Sequence, residues 1–148
     1  MTGTDAEATI IVVSALKAWV LMALRIIVAD DNPRFLDKLI SVLGAEFEIV
    51  ATAGDGKTVL ECIRDWRPDV VVLDLEMPEL NALDISKELG KYSGSPAVVI
   101  CSVESDPEIV QEAEKAGALG YVYKTRIDKD LILAVKSVAS GRRFVSPL

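Results

Sequence analysis

Apolar residues fall in five short runs along the chain, and polar residues close each run. Arg25-Ile26-Ile27-Val28-Ala29 leads into Asp30-Asp31. Asp69-Val70-Val71-Val72-Leu73 leads into Asp74, and Ala97-Val98-Val99-Ile100-Cys101 into Ser102. Such runs, bounded by turn residues, read as strands buried on both faces. Phe47 to Ala53 and Ala118 to Lys124 read as two further strands. Glu48 and Thr52 interrupt the first of these, which places it at a sheet edge.

Helical spacing fills the intervals. Asn32-Pro33 opens a helix with Phe35, Leu39 and Val42 on one face, running to about Ala45. After Gly54-Asp55-Gly56, a second helix turns Val59, Leu60, Ile63 and Trp66 inward and stops at Arg67-Pro68. Asn81 caps a third, running to about Lys91. Ser105 and Glu108 form a capping box for a fourth, with Ile109, Val110, Ala113 and Ala116 as a thin apolar face. Thr125 and Asp128 resemble a second box, opening a last helix that ends near Gly141.

Five βα units in sequence demand a parallel sheet with helices on both faces. The expected fold is α/β: a flavodoxin-like (βα)5 three-layer sandwich of strand order 2-1-3-4-5, since the second and fifth strands are the least apolar. The domain spans residues 25–143, with a tail at 144–148. Residues 1–24 stand apart. Ala8 to Leu24 is nearly all apolar, with helix as its expected structure, but it is shorter than the roughly 20 residues that cross a bilayer. Asp5 and Glu7 make it a poor signal peptide. No stable membrane insertion is expected. Met22 leads directly into the first strand, so a chain starting there is expected to fold and react normally.

Composition narrows the chemistry. At 148 residues the chain suits one domain. A net charge of −7 argues against direct nucleic-acid binding by this chain. There is no histidine, so a bound metal must take oxygen ligands. Cys62 and Cys101 lack metal spacing and read as buried thiols of a cytoplasmic protein.

In the expected order the first and third strands are neighbours. Asp30, Asp31 and Asp74 then converge at the carboxyl edge of the sheet, where open α/β sheets bind ligands. Like-charge crowding there raises a pKa unless a cation intervenes. Mg²⁺, or Mn²⁺ in its place, resolves the conflict. Ser102 and Lys124 end the fourth and fifth strands at the same edge. A carboxylate nucleophile, a metal, an ammonium and a hydroxyl together suit phosphoryl transfer.

Residues 25–143 resemble the receiver domains of two-component response regulators. The resemblance rests on Val28-Ala29-Asp30-Asp31-Asn32, on Asp74-Leu75-Glu76-Met77-Pro78, on the strand ending in Ser102, and on Gly117-Ala118-Leu119-Gly120-Tyr121-Val122-Tyr123-Lys124. It implies that Asp74 accepts a phosphoryl group from a sensor histidine kinase. It implies that Asp31, Asp74 and the backbone carbonyl of Glu76 bind Mg²⁺, with Asp30 acting through water. Lys124 would pair with the phosphate and Ser102 would hydrogen-bond it. Tyr121 would then swing, changing the surface of the fourth helix, fifth strand and fifth helix for a partner or output domain. A homodimer through that face, or through the first and fifth helices, is expected. Such a domain phosphorylates itself from phosphohistidine or small phosphodonors and loses the group slowly, without being a turnover enzyme.

Gly141-Arg142-Arg143-Phe144-Val145-Ser146-Pro147 resembles the LuxR/NarL-type branch, which normally continues into a helix-turn-helix domain. Two positions depart from the family. Ala82 stands where Gly is usual, which suggests a different loop path, and Thr125 stands where Pro often follows the lysine. A constitutive interaction module is the alternative reading. A haloacid-dehalogenase-like phosphatase would need Asp-x-Asp after the first strand, and Asp30-Asp31-Asn32 lacks that spacing.

Overall fold

The structure is a computed structural model that describes residues 24–147; the apolar stretch before Leu24 lies outside the described residues. Strands β1 (Arg25–Ala29), β2 (Glu48–Ala53), β3 (Val70–Asp74), β4 (Ala97–Ser102) and β5 (Gly120–Tyr123) alternate with helices α1 (Pro33–Gly44), α2 (Gly56–Trp66), α3 (Ala82–Leu89), α4 (Pro107–Lys115) and α5 (Ile127–Ala139). The sheet is parallel throughout, in the order β2-β1-β3-β4-β5-β6. The flavodoxin-like order therefore holds, with one strand added. That strand, β6 (Phe144–Val145), pairs with β5 and places part of the expected tail in the sheet. It also accounts for the full burial of β5. β2 is the exposed edge, as Glu48 and Thr52 foretold.

Alternation along each strand divides the core in two. Ile27, Ala29, Val71, Leu73, Val98, Ile100, Tyr121 and Tyr123 face α2, α3 and α4. Ile26, Val28, Val70, Val72, Val99, Cys101 and Val122 face α1 and α5. Both faces of β3 are buried along its whole length, which is why its sequence shows no polar alternation.

Local chemistry sets the helix starts, in two cases differently from the sequence reading. Asn32 caps α1, with its side chain accepting from the N–H groups of Arg34 and Phe35. Asn81 and Asp84 form a reciprocal capping box on α3. At α4, however, the cap is Asp106, not Ser105: its carboxylate accepts from the Glu108 N–H at 2.9 Å. Proline at the first helical position makes the residue just before it the cap. The expected Thr125–Asp128 box is absent. Lys124–Arg126 forms a 3-10 turn instead, and α5 starts without a side-chain cap. Lys124 itself lies just past β5 rather than within it. Trp66, expected inward, is 48% exposed at the last position of α2, where the chain turns away through a left-handed Arg67. Cys62 is only partly buried.

The loop from β3 to α3 is seated on the start of α2. Gly56 donates its N–H to the Pro78 carbonyl at 3.3 Å, and a Cβ there would overlap the Leu80 carbonyl oxygen. Ala82, by contrast, needs no glycine. It is a buried first residue of α3 and donates to the Leu75 carbonyl at 3.1 Å. The left-handed position in this loop is Glu79, at φ 71°. Gly56→Ala is therefore expected to destabilise the fold by about 1–3 kcal/mol, the usual range for overpacking, as read by urea unfolding; Ser93→Ala, in an exposed loop, should stay near wild type.

Candidate functional site

The carboxyl ends of β1, β3, β4 and β5 meet at one edge of the sheet. β1 delivers Asp30 and Asp31, and β3 ends on Asp74. Oxygens of the three carboxylates lie within 4.8 Å of one another. Asp30 and Asp74 are buried while Asp31 is exposed. Lys124 reaches back from the end of β5 and donates to Asp30 Oδ2 at 2.9 Å and to Asp74 Oδ1 at 3.1 Å. The other Asp30 oxygen accepts the N–H of Asn32 at 2.8 Å, which locks that carboxylate in place. The start of α1 thus holds the site as well as its own helix cap.

Burial pushes the Asp74 carboxyl above its ordinary value. The hydrogen bond from Lys124 opposes that shift, and the charges of Asp30 and Asp31 reinforce it. Burial alone would lower Lys124, but its hydrogen bonds to Asp30 and Asp74 outweigh this and hold the ammonium charged. Cys101 is paired in register with Asp74, yet its full burial pushes the thiol far up and removes it as a nucleophile. Asp74 is left as the buried carboxylate at the tip of β3.

Three more sequence-selected residues sit around this centre. Glu76 is exposed, and among the described residues no N–H donates to its backbone carbonyl. Ser102 is buried at the end of β4, where its hydroxyl accepts the Glu104 N–H at 3.0 Å. Tyr121 is turned inward, 2% exposed, and its hydroxyl donates to the Glu104 carbonyl at 2.7 Å. Glu104 is therefore held on both sides of its backbone, by a residue of β4 and a residue of β5. Neither Ser102 nor Tyr121 bonds directly to the carboxylate cluster among the described residues.

Other participants were not singled out in the sequence. Phe35 places its ring over the Lys124 ammonium, 4.1 Å from nitrogen to centroid. Helical spacing marked Phe35 only as a core-facing residue. Asp130 is buried on α5, where it accepts from Arg126 at 2.7 Å and from the Ser146 hydroxyl at 2.8 Å. Ser146 in turn accepts the Tyr123 N–H at 3.2 Å, tying the segment after β6 to β5. The i, i+4 spacing of Arg126 and Asp130 was a legible signal.

The residues fit a divalent cation. Three carboxylate oxygens within reach of one another form an all-oxygen donor set suited to Mg²⁺, and the Lys124 ammonium offsets part of their charge. An aspartate whose pKa is raised by folding contributes stability that is lost as pH rises through the folded value. In chelator at neutral pH, Asp74→Asn should therefore melt higher than the wild type. The gap should close on acidification below the ordinary carboxylate range, and Mg²⁺ should narrow it by stabilising the wild type. An unchanged melting temperature would show that burial and the neighbouring carboxylates do not raise the Asp74 carboxyl.

Known proteins are similar to this chain in sequence and in fold. The family model for the response regulator receiver domain matches residues 26–136. The chain is 32% identical over 126 residues to the transcriptional regulatory protein DegU of Brevibacillus brevis, covering 84% of this chain and 53% of that protein. It is 31% identical over 125 residues to the probable transcriptional regulatory protein NarL of Mycobacterium tuberculosis, covering 83% and 58%. The chain thus spans little more than half the length of these relatives. The solved receiver domain of the putative response regulator NarL from Mycobacterium tuberculosis superposes with a TM-score of 0.77 at 30% identity, over 81% of this chain and 98% of that one. A LuxR-family two-component response regulator from Aurantimonas gives 0.79 at 27% identity, over 84% and 91%. The family match, together with the acidic cluster and its lysine at the sheet edge, makes the chain a member of the response regulator receiver domain family, with regulators of the LuxR/NarL type among its relatives.

Proposed function

We propose that the chain is a phosphorylation-dependent switch that takes a phosphoryl group from a sensor histidine kinase onto Asp74. One observation carries the reading: Asp30, Asp31 and Asp74 converge at the sheet edge, and a single lysine bonds two of them. A carboxylate oxygen of Asp74 attacks the phosphorus of a phosphoimidazole. A P–O bond forms as the P–N bond breaks, the P–N electron pair stays on the nitrogen, and the ring, already protonated on its other nitrogen, leaves as neutral imidazole. Asp31, Asp74 and the Glu76 carbonyl would hold Mg²⁺, with Asp30 acting through water. When bound, the ion neutralises charge on the phosphoryl oxygens. Lys124 exchanges its bond to Asp74 for one to the phosphoryl group and keeps its bond to Asp30.

The response starts at Ser102. Its hydroxyl now bonds the Glu104 N–H, and a phosphoryl oxygen beside Asp74 offers a stronger, charged acceptor for its proton. Ser102 turning toward the phosphate moves the backbone of Glu104. The Glu104 carbonyl is also the anchor of Tyr121, so the movement reaches β5 and the face built from α4, β5 and α5. That face, or the one formed by α1 and α5, is where a second copy or an output partner would bind. The two states differ by hydrogen bonds that only one of them can make, which such a switch requires.

Incubation with acetyl phosphate and Mg²⁺ should add one phosphoryl group per chain, read by intact mass. Asp74→Asn, or removal of the metal, should abolish the adduct, and Lys124→Ala should slow its formation at least about tenfold, as expected when a charge-neutralising group is lost. An adduct that survives in Asp74→Asn would overturn the assignment. A wild type that takes up nothing would leave a constitutive interaction module as the better reading.

A further inference from the structure

We infer that Phe35 is a positioning residue for the Lys124 ammonium, confining it by a cation–π contact to the arc between Asp30 and Asp74. The inference rests on the proposed role of Asp74 and deepens it. A lysine ammonium is a point charge with three donors at the end of a flexible four-carbon stem. Two of its donors are used, on Asp30 Oδ2 at 2.9 Å and Asp74 Oδ1 at 3.1 Å. The face of Phe35 lies against the same nitrogen, with the centroid 4.1 Å away, well inside the roughly 6 Å range of the interaction.

The placement of the ring follows from the segment that builds the acidic cluster. Asn32 donates its N–H to Asp30 Oδ1, and its side chain accepts the Phe35 N–H at 3.4 Å. One turn of chain thus orients both a carboxylate partner of the lysine and the ring that covers it. A ring face suits this position because it attracts the cation without supplying an oxygen that would compete with the carboxylates. It also leaves the ammonium free to slide. During phosphoryl transfer Lys124 must release Asp74 and take a phosphoryl oxygen, and the ring accompanies it over that short path. An aliphatic side chain would fill the volume but offer no quadrupole.

The test uses the full chain, isotopically labelled at lysine, with Phe35→Leu, Phe35→Tyr and replacement of Phe35 by cyclohexylalanine. The last keeps the shape and removes the π face. In the metal-free wild type the ring should shift the Lys124 ε-methylene proton resonances upfield. Tyr should keep that shift, while Leu and cyclohexylalanine should lose it. Adduct formation from acetyl phosphate with Mg²⁺ should slow about 2- to 30-fold in the two non-aromatic variants, the range that a cation–π contact spans. Phe35→Tyr should restore most of the rate.

Unshifted lysine resonances in the wild type would overturn the inference, as would a cyclohexylalanine variant that reacts at the wild-type rate. Equal loss in Tyr and Leu would also overturn it, in favour of packing alone. If Leu does not fold, the near-isosteric cyclohexylalanine variant still decides the matter. A wild type that forms no adduct would count against Asp74 as acceptor, while the lysine resonances would still report the ring contact separately.

Discussion

Like-charge repulsion at the carboxyl edge of the sheet is the constraint around which this domain is built. Three carboxylates meet where two of them are buried, and one ammonium bonds to two of the three. In a protein interior such charges interact far more strongly than in water. The arrangement is tolerable because each buried acid has a defined partner. Among the described residues, Asp30 is satisfied by the Asn32 N–H and by Lys124, and Asp74 by Lys124 alone. Asp74 is therefore the least compensated of the buried pair, and burial raises its pKa accordingly. Asp74 is thus the member of the buried pair that the fold has left most in need of a cation.

The same edge explains which parts of the domain are rigid and which are held by few contacts. β3 is buried from end to end, so Asp74 projects from a fixed base. The loop behind it rests on Gly56 with backbone-to-backbone closeness that admits no side chain. The segment after Ser102 is held more lightly, by one hydroxyl on each side of the Glu104 peptide groups. A hydroxyl hydrogen bond contributes about 1 kcal/mol net. On the proposed reading, a phosphoryl group on Asp74 redirects bonds of that size, whereas it could not move the buried strand that carries it.

Much of this was legible in the sequence, because strand-end residues are fixed by topology. Once the runs ending at Asp31, Asp74, Ser102 and Lys124 read as parallel strands, their last residues had to share an edge. Asn32 and Asn81 were legible as caps for a similar reason, since the cap bond is local. What escaped depended on contacts distant in sequence or on very short segments. β6 has only two residues, too few for any period, and it is defined by pairing with β5 and by Ser146 reaching Asp130. The Thr125–Asp128 pattern failed because Arg126 bonds forward to Asp130 and the chain tightens into a 3-10 turn. Phe35 was legible as apolar, but its cationic neighbour lies at the other end of the domain in sequence.

The short sixth strand also bears on how the domain behaves among copies of itself. A parallel sheet that ended at β5 would present a row of unpaired amides flanked by Tyr121 and Tyr123, a template for strand addition. β6 covers that row with two residues, and Pro147, which has no N–H to offer, follows Ser146 immediately. The opposite border, β2, carries outward Glu48 and Thr52. One border is thus covered by the short β6 segment and the other by polar side chains. Loss of the Asp130–Ser146 contact would not merely loosen a short segment but uncover an adhesive strand, and the first symptom of such a defect would be self-association rather than unfolding.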